Sequence, residues 1–203
     1  LPQPPSGGKL RATSTAARSN TLLAEIRREF PDFAIVRKRD SALQGVIAAL
    51  LRGVTFGGQR HYLTRYHTVL FGRLYVSDAW PQMSDDARYV LLRHERIHLR
   101  QRRRLGDVTM AFVYLFPLFP VALSWGRARL EWEAYVETIR ATAEVYDLDA
   151  ARNLEDEIVR RYVGPDYGWM WPFPNTIRRW FRQVMALLVA EAAASDRTGT
   201  GRP

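Results

Sequence analysis

Leu91-Leu92-Arg93-His94-Glu95-Arg96-Ile97-His98 is the stretch on which the reading of this chain turns. It contains His-Glu-x-x-His. On an α-helix, residues four apart share a face, so the His94 and His98 imidazoles can reach one metal ion. Glu95 stands about 100° further round the helix and can address a metal-activated water instead. A zinc ion lowers the pKa of such a water towards roughly 7, and a carboxylate then takes its proton. With only 4 histidines in the chain, a shuffled sequence shows this five-residue pattern about 0.3% of the time.

The flanks predict a real helix around the motif. Ser84 is a good N-cap, with Asp85 and Asp86 in a first turn whose dipole favours negative charge. Arg100, Arg102, Arg103 and Arg104 sit at the other end, and Gly106 can terminate it. The buried stripe then runs Ala87, Leu91, His94, His98, Gln101, Leu105. Both histidines fall on it, where idle imidazoles are expensive.

Before the motif, helices are expected over Thr21–Phe30 and Ser41–Leu51, and strands over Phe33–Val36, His61–Thr68 and Val69–Ser77, with Gly72 breaking the last run. After it, helices are expected over about 107–125, 127–146, 150–162 and 175–194. Strands early and helices late predict an α+β fold, a small early sheet followed by a mainly helical half. Residues 1–19, rich in Pro, Gly, Ser and Thr, read as a disordered tail; 20–194 read as one domain, and 195–203 as a second disordered tail.

The 203 residues carry 47% hydrophobic side chains, which excludes disorder throughout and suffices for one core. Cysteine is absent, which excludes disulfides, thiol catalysis and a cysteine-ligated zinc. The net charge is +9, and only Lys9 and Lys38 are lysine among 30 basic residues. That excess permits nucleic acid, anionic lipid or acidic protein as partner and selects none of them.

Catalytic zinc takes three protein ligands and an open position. Gln101 and Arg104 stand where the metzincin pattern needs Gly and His, so that class is excluded. His61 and His67 lie in the β region before the helix and read as strand or cleft residues. The segment Arg129-Leu130-Glu131-Trp132-Glu133-Ala134-Tyr135-Val136-Glu137 offers acids. Glu131 shares a helix face with Ala128, Ala134, Thr138 and Ala141, a small-residue stripe suited to close helix approach. Glu133 shares its face with Arg129, Glu137, Arg140 and Glu144, a solvated charged stripe. The stripes favour Glu131 as third ligand, with Glu133 as the alternative.

His94-Glu95-x-x-His98 followed by Glu131-x-x-Ala134 resembles the gluzincin branch of the zincin-like zinc metallopeptidases, and small bacterial proteins of that type. The resemblance implies zinc on His94, His98 and Glu131, Glu95 as general base, and hydrolysis of a peptide or protein substrate bound in extended form along an edge strand, here within His61–Ser77. Many gluzincins carry an Asp four residues after the ligand Glu; here that position is Tyr135. Tyr135 is expected either to hydrogen-bond near the ligands or to stabilise the oxyanion, and Tyr66 and His67 are further candidates for that donor.

Residues 108–126 carry no charge, which makes the segment a spanning candidate by length. Pro117 and Pro120 break it, and ligands lie on both sides of it, so a bend that returns is expected. It is expected to serve as core or to touch a membrane surface, helped there by Trp169, Trp171, Phe173 and Trp180 beside Arg178, Arg179 and Arg182. The numbered chain shows no signal-peptide core, so a cytoplasmic protein with peripheral membrane contact is expected. Arg100–Arg104 lacks any base-stacking platform, which argues against nucleic acid. The rival expectation is a non-catalytic, zinc-stabilised interaction protein at a membrane surface or within a larger assembly.

Overall fold

The computed structural model describes residues 15–38, 68–70, 72–115, 124–164 and 169–199. In chain order these form α1 (Thr15–Glu29), β1 (Ala34–Arg37), β2 (Thr68–Leu70), β3 (Arg73–Val76) and a short 3-10 turn (Trp80–Gln82). There follow α2 (Asp85–Leu105), α3 (Asp107–Leu115), α4 (Trp125–Val145), α5 (Leu148–Arg152), α6 (Glu155–Val163) and α7 (Pro174–Gly199). The architecture is α+β, with the strands early and the helical half late.

The three strands form one mixed sheet in the order β1-β3-β2. β1 runs parallel to β3 with Val36 opposite Tyr75, and β2 runs antiparallel to β3 with Val69 opposite Leu74. Gly72 makes the turn between β2 and β3 at φ +76°, where a side chain is strained. A Cβ there would also stand 2.5 Å from an Arg102 guanidinium nitrogen, the flexible end of a side chain that can shift, so the φ is what calls for glycine.

α2 has the ends its sequence specifies. Ser84 caps it by accepting from the Ala87 backbone N–H at 3.2 Å. Gly106 ends it at φ +78°, donating to the Arg102 carbonyl at 2.8 Å. Two cores flank it. Leu22 and Ile26 of α1, Phe33, and Leu74 and Val76 of β3 pack with Leu92 and Leu99 on one side. On the far side of α4, Trp132, Tyr135 and Ile139 pack with Ile158, Tyr162, Ile177 and Phe181 from α6 and α7. The small stripe Ala128, Ala134, Thr138 and Ala141 is buried, as the close approach of α4 to α2 demands. The functional side chains lie in the seam between these two long helices.

Several boundaries differ from the sequence expectation. α1 starts at Thr15, not Thr21, so residues 15–19 are not tail. Ser19 is buried and bonds the Asp85 carboxylate through both its backbone N–H and its hydroxyl, which ties the helix to α2. α7 runs to Gly199, so residues 195–199 are not tail either. The helix expected over 150–162 is two helices, joined at Asn153 and Leu154. The helix expected over Ser41–Leu51, together with His61, Tyr66 and His67, lies outside the described residues.

Of the apolar segment, α3 and the start of α4 are described and 116–123 are not. Val113 of α3 lies against Gly126 of α4: a Cβ on that glycine would stand 3.4 Å from Val113 Cγ1. The two ends of the segment therefore lie side by side. Among the described residues, no helix is long and apolar enough to cross a membrane.

Candidate metal centre

His94, His98 and Glu131 are all buried, and one ligand atom from each lies within 4.8 Å of the others. His94 and His98 come from successive turns of α2, and Glu131 from the facing turn of α4. His94 Nε2 and His98 Nε2 are 3.2 Å apart. His98 Nε2 is 3.9 Å from Glu131 Oε2.

The surrounding hydrogen bonds fix which nitrogen faces the centre. The Thr138 hydroxyl donates to the Ala134 carbonyl at 3.2 Å, so its oxygen accepts from His94 Nδ1 at 2.8 Å. The Gln101 amide nitrogen donates to the Leu130 carbonyl at 2.8 Å and to Glu133 Oε2 at 2.9 Å. Its oxygen is thereby turned to His98 and accepts from Nδ1 at 2.9 Å. With Nδ1 donating, the neutral form of each ring carries its lone pair on Nε2. Two such lone pairs meeting at 3.2 Å repel unless an electrophile sits between them. Ligand atoms around a tetrahedral zinc stand about 3.3 Å apart, given Zn–N bonds of about 2.0–2.1 Å. Two neutral imidazoles and a carboxylate are a borderline-soft donor set that suits zinc. The residues fit the ion.

Electrostatics agree with neutral imidazole. Burial, then the neighbouring His98, hold the His94 pKa well below its ordinary value. Glu95 is buried on the adjacent face, and burial followed by the Glu131 charge pushes its carboxyl up to about 7, against the opposing pull of His98 and Lys38. Lys38, which follows β1, is also buried; desolvation takes its ammonium down to about 7, with the Glu95 charge opposing. Lys38 thus stands within electrostatic reach of Glu95, a neighbour that nothing in the sequence signals, because the approach is made through the sheet.

Glu133 is not gathered with the histidines. It accepts from Gln101 and pairs with Arg104 at 3.3 Å, with 41% of its side chain exposed. The face it shares is more than a solvated stripe. Glu137 pairs with Arg93, and Glu144 pairs with Arg93 at 3.0 Å and accepts from Tyr89 at 3.1 Å, so this face clips α4 to α2. Tyr135 is buried behind the centre, its ring edge-to-face with His94 at 5.1 Å and 5.8 Å from Tyr162. It buttresses the His94 ring, while the hydrogen bond to that imidazole comes from Thr138. Gln101 and Thr138 were legible as stripe residues, and their role follows from one more step: Gln101 is three residues past His98, and Thr138 lies one turn beyond Ala134 on the Glu131 face.

The arginines that end α2 each engage an acid. Arg100 and Arg103 meet Glu29 at 2.8 and 3.4 Å, Arg102 meets Asp107, and Arg104 meets Glu133. Arg96 adds a bond to Glu29 at 2.7 Å, and this cluster holds the Glu29 carboxyl down at about 2.

The fold and site together define a buried two-histidine, one-glutamate centre at a helix–helix seam, with a further carboxyl beside it. Comparison with protein-family models, curated proteins and solved structures finds no match to the chain.

Proposed function

We propose that the chain is a zincin-like zinc metallopeptidase of the gluzincin type, cleaving peptide bonds in a peptide or protein substrate. The observation that carries this reading is the junction of two features. Two imidazole Nε2 atoms and the Glu131 carboxylate converge, and Glu95, the one further buried carboxyl described on α2, lies on the adjacent face. A zinc ion held by His94, His98 and Glu131 supplies a Lewis acid for the scissile carbonyl and lowers the pKa of a water molecule.

Glu95 does the proton work. A buried carboxylate in this position can accept a proton from water and give it up again to the leaving amine. His94 and His98 bind through Nε2 only in the tautomer that Thr138 and Gln101 enforce. Tyr135 holds the His94 ring in place from behind. Among the described residues β1 and β2 are the two edges of the sheet, and β2, which lies within His61–Ser77, is the edge assigned here to an extended substrate. A purely structural site has no use for a buried acid at position 95, which favours the enzyme over the zinc-stabilised interaction protein.

The test is cleavage of a mixed peptide library by zinc-loaded wild type and by Glu95→Gln. Wild-type cleavage that the variant loses while keeping its zinc and fold supports the proposal. Equal cleavage by both, or none by zinc-loaded wild type, overturns it.

A further inference from the structure

Trp125, Trp169 and Phe173 are 50%, 49% and 47% exposed. Trp171 links Trp125 to Phe173, its ring 5.1 Å from each. The Ser124 backbone N–H donates to the Met170 carbonyl at 3.2 Å, which sets Trp169 beside the first turn of α4. Trp169 also has a φ of +52°, a conformation that side chains rarely adopt. Its neighbour Met170 is buried, so the backbone takes on strain while an indole faces outward. On α3, Val108 and Phe112 share a ridge and are 84% and 59% exposed. The contact of Val113 with Gly126 brings α3, which carries that ridge on another face, alongside the same turn. Of the aromatics that the sequence offers to a membrane surface, Trp171 and Trp180 pack against the core, while Trp169 and Phe173 stand out.

Basic side chains adjoin this patch. The Arg129 guanidinium lies over Trp125 and Trp180, at 5.8 and 5.3 Å from the ring centres. On the outward face of α7, the helix that follows Phe173 in the chain, an open groove of about 570 Å³ is lined by Asn175, Thr176, Arg179, Arg182, Gln183 and Ala186. The nearby acids Glu155 and Asp156 are engaged by Arg178, and Asp107 by Arg102. Aromatic and aliphatic side chains standing out of a surface, with one arginine stacked on them and more on the next helix, have the chemistry of the lipid–water interface, where indoles settle at headgroup depth and arginines meet phosphate.

We propose that this face docks on a membrane surface bearing anionic lipid, with Trp125, Trp169, Phe173 and the Val108–Phe112 ridge in the interface and Arg129, Arg179 and Arg182 on the headgroups. Docking is peripheral. Glu131 lies six residues, or about 9 Å, along α4 from Trp125, so the docked face is close to the metal centre. The proposal does not depend on the metallopeptidase reading.

The experiment is flotation of the full chain with vesicles of phosphatidylcholine alone, and with vesicles in which about 30% of the lipid is phosphatidylglycerol. Sedimentation velocity without lipid runs in parallel. Binding to the anionic vesicles at least about tenfold stronger than to the neutral ones is expected. Phe112→Ser with Phe173→Ser, and separately Arg179→Glu with Arg182→Glu, are expected to weaken it about tenfold or more each. These positions are exposed or half-exposed, and far-ultraviolet circular dichroism checks the fold. Equal binding to both vesicle types, or variants that float like wild type, overturns the proposal. So does lipid-independent self-association that the Phe variant abolishes, which assigns the face to a second copy of the chain. Preference for a nucleic-acid duplex over anionic vesicles overturns it as well.

Discussion

Gln101→Leu is a change at one side chain that separates fold from metal affinity. Leucine has nearly the volume of glutamine but neither accepts nor donates. It removes the acceptor 2.9 Å from His98 Nδ1, and the donors to the Leu130 carbonyl and Glu133. A buried N–H without an acceptor costs about 1–3 kcal/mol. His98 can escape that cost by moving its proton to Nε2, and must then give it up to bind metal. Either way the zinc complex loses ground relative to the metal-free protein. Loss of an outer hydrogen bond of this kind lowers metal affinity about 10- to 100-fold, which is about 1.4–2.7 kcal/mol. The metal-free fold loses about 1–2 kcal/mol from the two broken bonds across the α2–α4 seam. Competitive titration of zinc against a chromophoric chelator measures the first quantity, and urea unfolding of the metal-free protein measures the second. A folded variant that binds zinc within twofold of wild type would show that Gln101 does not set the His98 tautomer, and would refute the reasoning.

Glu131→Gln is expected to lower zinc affinity at least about 100-fold and Glu133→Gln less than about tenfold, read by the same titration; the reverse order would put Glu133 in the shell. The Glu95 carboxyl is raised in the folded chain, so in the metal-free protein it contributes stability below about pH 4.5 that is lost as pH rises towards 7. Metal-free Glu95→Gln should therefore be more stable than wild type by about 1–3 kcal/mol at pH 8, and not at pH 4, by urea unfolding. Glu29 has the opposite sign: its depressed pKa contributes stability above about pH 4.5 that is lost as pH falls towards 2. Glu29→Gln should cost about 1–2 kcal/mol at pH 7, once solvent screening is allowed for, and flatten the acid limb of the unfolding profile.

The parts of this molecule legible in its sequence are those written locally. Ser84, the two aspartates after it and Gly106 specify α2 to the residue, because capping uses only nearby groups. Gly72 marks the β2–β3 turn for the same reason. Glu131 could be told from Glu133 because helical phase separates them by about 200°. What was not legible depends on tertiary contact. Thr15–Ser19 has the composition of a tail, and becomes helix because Ser19 meets Asp85 from another element. Lys38 acquires its burial near Glu95 through the packing of the sheet on α2, which no spacing encodes. Glu137 and Glu144 look solvated on a helical wheel, yet pair with Arg93 across the seam.

The central claim is that His94, His98 and Glu131 hold one zinc ion. Elemental analysis of protein purified without added metal, with wild type, His98→Ala and Glu133→Ala run side by side, tests it most directly. The account predicts about one zinc per chain in wild type and in Glu133→Ala, and close to none in His98→Ala. Equal metal content in wild type and His98→Ala would contradict it.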